Sequence, residues 1–388
     1  MGTMGAAGRH TGRLMAAGRL GDKVARTTDR AQRGGHAGVS IEDVAAAAGV
    51  STATVSRAVR GLPRVSPATR EKILIVAEAL GYVASSSASG LATGRTRTIG
   101  VLAPFVSRWF FSKAIEGADR ELHGRQYNLS LFNLGGHGSH RERLFSKTMV
   151  YKQIDALLVL CMALSPEELE HLQKIDIPLV VVGGHVEGCA YIGIDDYAAA
   201  STAVRHLIGL GHRDIALLHG DDETDLNFDV PRVRIRAFHD VMSQAGLAVR
   251  PEWDVWGDFT VHSGQEAFQR LWSRPGPKPS AIFCASDEMA IGVLFEARRA
   301  GVRVPEDLSV VGIDDHEFSA VAGLTTVGQR PDEQGELATK MLLDELDGIV
   351  GAVRSTVAPH ELIVRSTTAP PRRAEPVASV SGSRLPKI

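Results

Sequence analysis

From residue 98 onward the chain alternates short apolar runs with longer amphipathic segments, and that order leaves few folds open. Runs of strand length lie at 99–102, 129–134, 156–160, 179–182, 215–218, 281–284 and 309–313. Between and beyond them, 111–123, 139–152, 196–209, 232–245, 264–273, 287–300 and 332–347 carry apolar residues at helical spacing. A β-α-β-α order calls for a parallel sheet with helices on both faces. About 270 of the 388 residues follow this pattern. That is too many for one open sheet of such short strands, so two similar α/β lobes are expected.

Ahead of this alternation stand three short helical patterns in close succession. Ile41, Val44, Ala45 and Ala48 mark one face of a helix at i, i+3, i+4 and i+7. Ser40 with Asp43 three residues on has the spacing of a capping box, and Gly49 breaks the run. Ser51 caps a second segment with inward residues Val55, Ala58 and Val59, ended by Gly61. Ser66 and Pro67 open a third, with proline where a missing N–H costs nothing. Its Ile73, Val76, Ala77 and Leu80 repeat the spacing before Gly81. Small residues at Ala45 and Ala46 let two helices approach, Gly49 supplies the turn and Val50 fills the corner, the build of a helix-turn-helix. The second helix carries Ser51 at its start and Thr52, Ala53, Ser56, Arg57 and Arg60 on its outer face. Hydroxyls and guanidinium groups on such a face read base edges and phosphates in a major groove.

Charge separates the two regions. Residues 1–98 hold 14 Lys and Arg against 6 Asp and Glu, and the remaining 290 hold 29 against 39. A basic head on an acidic body fits a head that meets a polyanion. It also fits a basic extension, because seven of those 14 basic residues precede residue 34. Residues 1–38 show no apolar periodicity and read as a disordered extension, with Met4 and Met15 as alternative starts. They contain no apolar signal region, and no run reaches the ~20 residues that cross a bilayer. Cys161, Cys189 and Cys284 are too scattered for a disulfide framework, which suits a cytoplasmic protein. No G-x-G-x-x-G, Walker A, H-E-x-x-H or G-x-S-x-G motif occurs, and so no enzyme chemistry is expected. The pairs His137/His140 and His206/His212 lack a cysteine or carboxylate at ligand spacing, so neither metal nor cofactor is expected.

The run Asp43-Val-Ala-Ala-Ala-Ala-Gly-Val-Ser51-Thr-Ala-Thr-Val-Ser-Arg57, then Arg64-Val-Ser-Pro-Ala-Thr-Arg-Glu-Lys72 and Leu80-Gly-Tyr82, resembles the DNA-binding head of the LacI/GalR family of bacterial transcription regulators. Ile99-Gly-Val, Ile192-Gly-Ile-Asp-Asp196, Ala285-Ser-Asp-Glu-Met-Ala290 and Leu308-Ser-Val-Val-Gly-Ile-Asp-Asp315 extend the likeness through residues 39–368. The resemblance implies a small all-α helix-turn-helix domain before a two-lobed, periplasmic-binding-protein-like type I α/β body with parallel sheets. It implies a repressor whose affinity for double-stranded operator DNA is modulated by a small effector. A sugar or sugar derivative is the first expectation for that effector, with a purine as the other class. A homodimer built through the body is implied, a tetramer being left open. In domains this gives a disordered extension over 1–38, the helix-turn-helix over 39–84, a linker over 85–97, the body over 98–368 and a disordered tail over 369–388. The alternative is a cytosolic sugar-binding protein or sugar-modifying enzyme with an accessory helical head.

Two sets of residues follow from the resemblance. In the linker the family places a hinge helix that enters the minor groove, and Leu91 stands at its wedge position. Ala84, Ser85 and Ser89 replace the usual Pro, Asn and Arg, so a plain flexible linker is the competing reading. In the body, Asp314 would accept ligand hydroxyls and Arg234 would be the cleft arginine. Ser286 occupies a position that is often Asn, Phe259 would stack on the ligand, and Gln329 would sit at a lobe crossover. Trp109 and Phe110 would form a second wall, whereas Phe111 reads as core. Asp195, Asp196, Asp287 and Asp315 stand in βα loops, where aspartate commonly caps helices.

Overall fold

In the head, α1 (Ile41–Ala48), α2 (Thr52–Val59) and α3 (Pro67–Leu80) form a three-helix unit. The chain is described by a computed structural model over residues 39–82, 95–135, 141, 153–162, 164–184, 188–220, 229–349 and 355–372. The extension 1–38, the wedge position Leu91, His137 and His140, most of the helix expected over 139–152 and the tail from 373 lie outside the described residues. Local chemistry sets the helix ends. Ser40 accepts the Asp43 amide at 3.3 Å while the Asp43 carboxylate accepts the Ser40 amide at 2.9 Å, a closed capping box. Gly49 ends α1 with φ 68°, a conformation open to glycine at no steric penalty. Val44, Ala45, Ala47, Ala48, Val55, Ala58, Ile73, Val76, Ala77 and Leu80 make the core. One expectation shifts: Ala46 is exposed, and Ala47 is the small residue at the helix contact.

The body begins at β1 (Thr98–Ala103) and is a second unit. Its first lobe holds β1, β2 (Asn128–Asn133), β3 (Ala156–Leu160), β4 (Leu179–Val182), β5 (Ala190–Gly193) and a late strand, β11 (Ser355–Val357). These run in the order β11-β5-β4-β3-β1-β2, with every pair parallel. The second lobe holds β6 (Ile215–Gly220), β7 (Asp254–Gly257), β8 (Ala281–Cys284), β9 (Ser309–Asp314), β10 (Thr325–Gly328) and β12 (Glu361–Ile363), ordered β12-β10-β9-β8-β6-β7. All pairs there are parallel except β10–β12. Helices α4 (Trp109–Arg125), α5 (Pro166–Lys174) and α11 (Pro331–Leu346) pack on the first sheet. The second is covered by α6 (Asp196–Gly209), α7 (Val230–Gln244), α8 (Val261–Ser273) and α9 (Asp287–Arg299). A short α10 (Ser319–Ala322) follows β9.

Both sheets are buried on two faces, which is why β3 reads as the unbroken run Ala-Leu-Leu-Val-Leu rather than an alternation. The chain passes between lobes at β5–α6, at β10–α11 and between β11 and β12. The body also extends past its expected end at 368. The Ala369 amide donates to Ser309 Oγ at 3.0 Å, and its carbonyl accepts from His212 Nε2 at 2.9 Å. Hydrogen bonding to the start of β9 thus orders a stretch that has no apolar pattern. Among the described residues no helix is long and apolar enough to cross a membrane.

Candidate nucleic-acid interface and ligand cleft

On α2, the residues singled out in the sequence divide by what they touch. Thr52, Ala53 and Arg57 are exposed, and no partner for the Arg57 guanidinium occurs among the described residues. Ser51 is exposed too, but its hydroxyl caps α2, accepting the Thr54 amide at 3.2 Å. Ser56 and Arg60 are half-buried, and Arg60 Nε donates to the Ser56 carbonyl at 3.2 Å. The apolar side of α2, Val55 and Ala58, is fully committed to the core. What remains outward is a short polar face on which Arg57 is unpaired among the described residues.

In the body, a cleft between the lobes is lined by Arg108, Phe110, Phe111, Cys161 and Gly183 of the first lobe. Val230, Arg234, Phe259, Ser286, Glu288 and Asp314 line it from the second, and Ile194, Asp196 and Gln329 come from the crossing segments. Six of the seven expected residues therefore meet in one place. Trp109 does not line this cleft. It lies beside its mouth, with its ring 5.1 Å from that of His316 in the second lobe. Phe111 is both core, as expected, and cleft floor.

The polar centre holds two hydrogen-bonded clusters, one around Arg234 and one around Asp314. Arg234, buried on α7, donates from Nε and Nη2 to Asp196 Oδ1 at 2.8 and 2.6 Å, and from Nη1 to the Ala285 carbonyl. Asp314 is buried at the end of β9, where Oδ1 accepts from Gln329 Nε2 at 2.7 Å and Oδ2 from the Asp287 amide at 3.3 Å. Beneath it, Asp287 accepts from Ser319 Oγ at 2.6 Å, Thr326 Oγ1 at 2.7 Å and the His316 amide at 3.0 Å. Burial pushes both carboxyls above the usual carboxylate range, their mutual repulsion adds to the rise at Asp287, and Arg234 pulls Asp314 partway back. Burial likewise raises Glu288 and the Cys161 thiol.

Aspartates expected as caps take different roles. Asp195 does cap α6, accepting the Ala198 amide at 2.9 Å. Asp196 pairs instead with Arg234, Asp287 ties β9 and β10 to α9, and Asp315 pairs with Arg365 at 2.7 Å. The cap of α9 is Ser286, whose Oγ accepts the Met289 amide at 3.4 Å. Asp196, Arg108, Glu288 and Cys161 are cleft residues that the sequence reading missed.

Backbone strain gathers here as well. Cys161, Phe259 and Asp314 hold φ of 50°, 50° and 140°, conformations that cost about 1–3 kcal/mol each and concentrate at binding sites. Gly220 accommodates one of them, since a Cβ there would stand 1.7 Å from the Phe259 ring. Across the mouth, Arg108 Nη2 pairs with Asp258 at 2.7 Å and Lys113 with Glu317 at 3.7 Å, joining the lobes. On the outside of the second lobe an apolar groove is lined by Ile291, Leu294, Phe295, Phe318 and Val321. Val321 is 87% exposed there and Phe295 62%.

A helix-turn-helix head joined to a two-lobed body with a polar cleft defines a ligand-binding DNA regulator. Residues 40–85 match the model for bacterial regulatory proteins of the lacI family, and 204–368 match the periplasmic binding protein-like domain. The HTH-type transcriptional repressor CytR of Escherichia coli (strain K12) is 34% identical over 334 residues, 85% of this chain and 96% of its own. A solved lac repressor dimer, bound to operator and the anti-inducer ONPF, aligns with a TM-score of 0.73 at 26% identity, over 86% of this chain and 100% of that one. The complex of the transcriptional regulator CelR with cellobiose aligns at 0.62 and 29% identity, over 85% and 99%. The chain belongs to the LacI family: it is a DNA-binding repressor with an effector-binding body, in a family that is not enzymatic. The alternative of a sugar-modifying enzyme falls with that membership.

Proposed function

We propose that this repressor acts in the cytoplasm as a homodimer on a pseudo-palindromic operator, and that a sugar or sugar derivative bound between its lobes changes operator affinity. The observation that carries the reading is the pair of buried polar clusters, Asp314–Gln329 and Arg234–Asp196, which line one interlobe cleft together with Phe110 and Phe259. Carboxylate and amide groups beside aromatic faces suit a ligand with hydroxyls on its edge and C–H groups on its faces. The likeness to a regulator solved with cellobiose supports the same chemistry. Asp314, Gln329, Ser286, Arg234, Phe110 and Phe259 are assigned to the effector. Thr52, Ala53, Ser56, Arg57 and Arg60, with Ser51 as cap, are assigned to DNA, and Leu91 to a hinge wedge.

A short recognition helix reads only a few base pairs, so a two-fold site follows from a dimer. The apolar groove around Phe295, Phe318 and Val321 offers the surface for it, being a larger exposed apolar patch than scattered single residues make. An effector changes DNA affinity only through its different affinities for the two states, and DNA acts back on the effector by the same factor. The test is a gel shift of the full chain on the DNA upstream of its gene, with excess competitor, across salt concentrations, with a panel of sugars and purine nucleosides. Competitor-resistant binding altered by a sugar is expected. Binding that competitor abolishes, or that only a purine alters, refutes the proposal.

A further inference from the structure

We infer that the cleft selects uncharged effectors and rejects anionic ones, phosphorylated sugars included; this rests on the ligand reading above and narrows it. An anion-binding cleft needs cationic groups or amide N–H groups that are uncommitted before the ligand arrives. Two guanidinium groups line this cleft, with no lysine and no third arginine among its described residues. Arg234 is neutralised by Asp196 and holds the Ala285 carbonyl with its remaining terminal nitrogen. Arg108 is paired with Asp258 at 2.7 Å, stacked 3.7 Å over the Phe105 ring, and has Glu288 as a second carboxylate neighbour.

Of the helix N-termini at the cleft, the other usual anion site, those of α9, α6 and α4 have an amide engaged, the Trp109 amide of α4 serving Glu288, while α7 has no side-chain cap. At α9 the Asp287 amide already serves the Asp314 carboxylate and the Met289 amide serves Ser286. At α6 the Ala198 amide serves Asp195. Against these committed donors stand Asp196, Glu288 and Asp314 in the lining, with Asp287 behind Asp314. A phosphate or carboxylate entering the cleft would meet surplus negative charge in a low-dielectric site, where like charges repel strongly. Hydroxyl groups instead find acceptors.

The full chain decides this in thermal shift, followed by tryptophan fluorescence at constant ionic strength. It is challenged with matched pairs: glucose, ribose, cellobiose and adenosine, each against its own phosphate ester, and glucose against glucuronate. Stabilising compounds are expected in the neutral arm, with the charged form at least about tenfold weaker. A charged member that binds more tightly than its parent overturns the inference. If no pair stabilises the protein, the sugar reading fails, and inorganic phosphate against chloride settles the charge question by itself. Phosphate should leave the wild type unchanged and stabilise Asp196→Asn, which releases Arg234. If that variant does not fold, Asp258→Asn, which releases Arg108, is read in the same way. Phosphate that stabilises the wild type, or that stabilises neither variant, refutes the selection.

Discussion

Replacing Arg234 by alanine tests whether its cluster in the cleft is a stabilising element as well as a binding one. The Arg234 side chain is 5% exposed and that of Asp196 15%, and they meet at 2.6 Å. Truncating Arg234 leaves the Asp196 carboxylate largely buried without its cation and the Ala285 carbonyl without its donor. Breaking a buried pair in this way costs about 3–5 kcal/mol. The residual exposure of Asp196 lets water reach it, which places the expectation near the lower end, about 3 kcal/mol. For a body of this size that corresponds to a fall in Tm of roughly 6–12 °C.

Urea denaturation of the full chain measures this cleanly, because Trp109, Trp253, Trp256 and Trp272 are the only four tryptophans and all lie in the body. Asp196→Leu combined with Arg234→Met should recover most of the loss, since replacing both partners by apolar groups removes the unpaired charge. The cycle formed by Asp196→Leu, Arg234→Met and their double variant should show strong coupling. An Arg234→Ala variant within about 1 kcal/mol of the wild type, or additive effects in the cycle, would refute the reasoning. Loss of effector response in Arg234→Ala alone therefore says little about ligand contact. Asp314→Asn, which keeps the shape of the side chain, is the better probe.

Four further outcomes are expected. Arg57→Ala should weaken operator binding by about 1–3 kcal/mol in a gel shift while leaving the melting of the head unchanged, because its side chain has no partner among the described residues. Burial raises the folded-state pKa of Asp314, so the folded cleft takes up a proton more readily than the unfolded chain does, and lowering pH removes a hydroxyl acceptor. Effector affinity measured by calorimetry should fall as pH drops below neutral, and Asp314→Asn should flatten that dependence. Val321→Asp and Phe295→Asp should shift the chain to monomer in sedimentation and weaken operator binding in parallel. Leu91→Ala should reduce DNA bending, read by energy transfer between end-labelled strands, without changing effector affinity.

How far the sequence could be read depends on how local each determinant is. The head was legible almost in full because its helices are set by neighbours: Ser40 and Asp43 close a box across three residues, and Gly49 ends α1 by its own backbone. The one slip, Ala46 for Ala47, is an error of helix phase. In the body the apolar strands announce themselves as apolar runs, whereas β5, β7, β10, β11 and β12, short and partly polar or interrupted by glycine, acquire their pairing only from tertiary neighbours. The cleft shows the same division more sharply. Arg234, Asp314, Phe259 and Gln329 could be picked from the family resemblance, with the placement of Arg234 and Asp314 near helix and strand ends in support. That Asp196 rather than Asp195 meets Arg234, 38 residues away, could not, because only the crossing from β5 into α6 brings them together. The distinction carries chemical weight. Side-chain identity shows that a guanidinium stands in the cleft; only the tertiary partner shows that its charge is already neutralised, and that is what separates a site for phosphates from a site for hydroxyls.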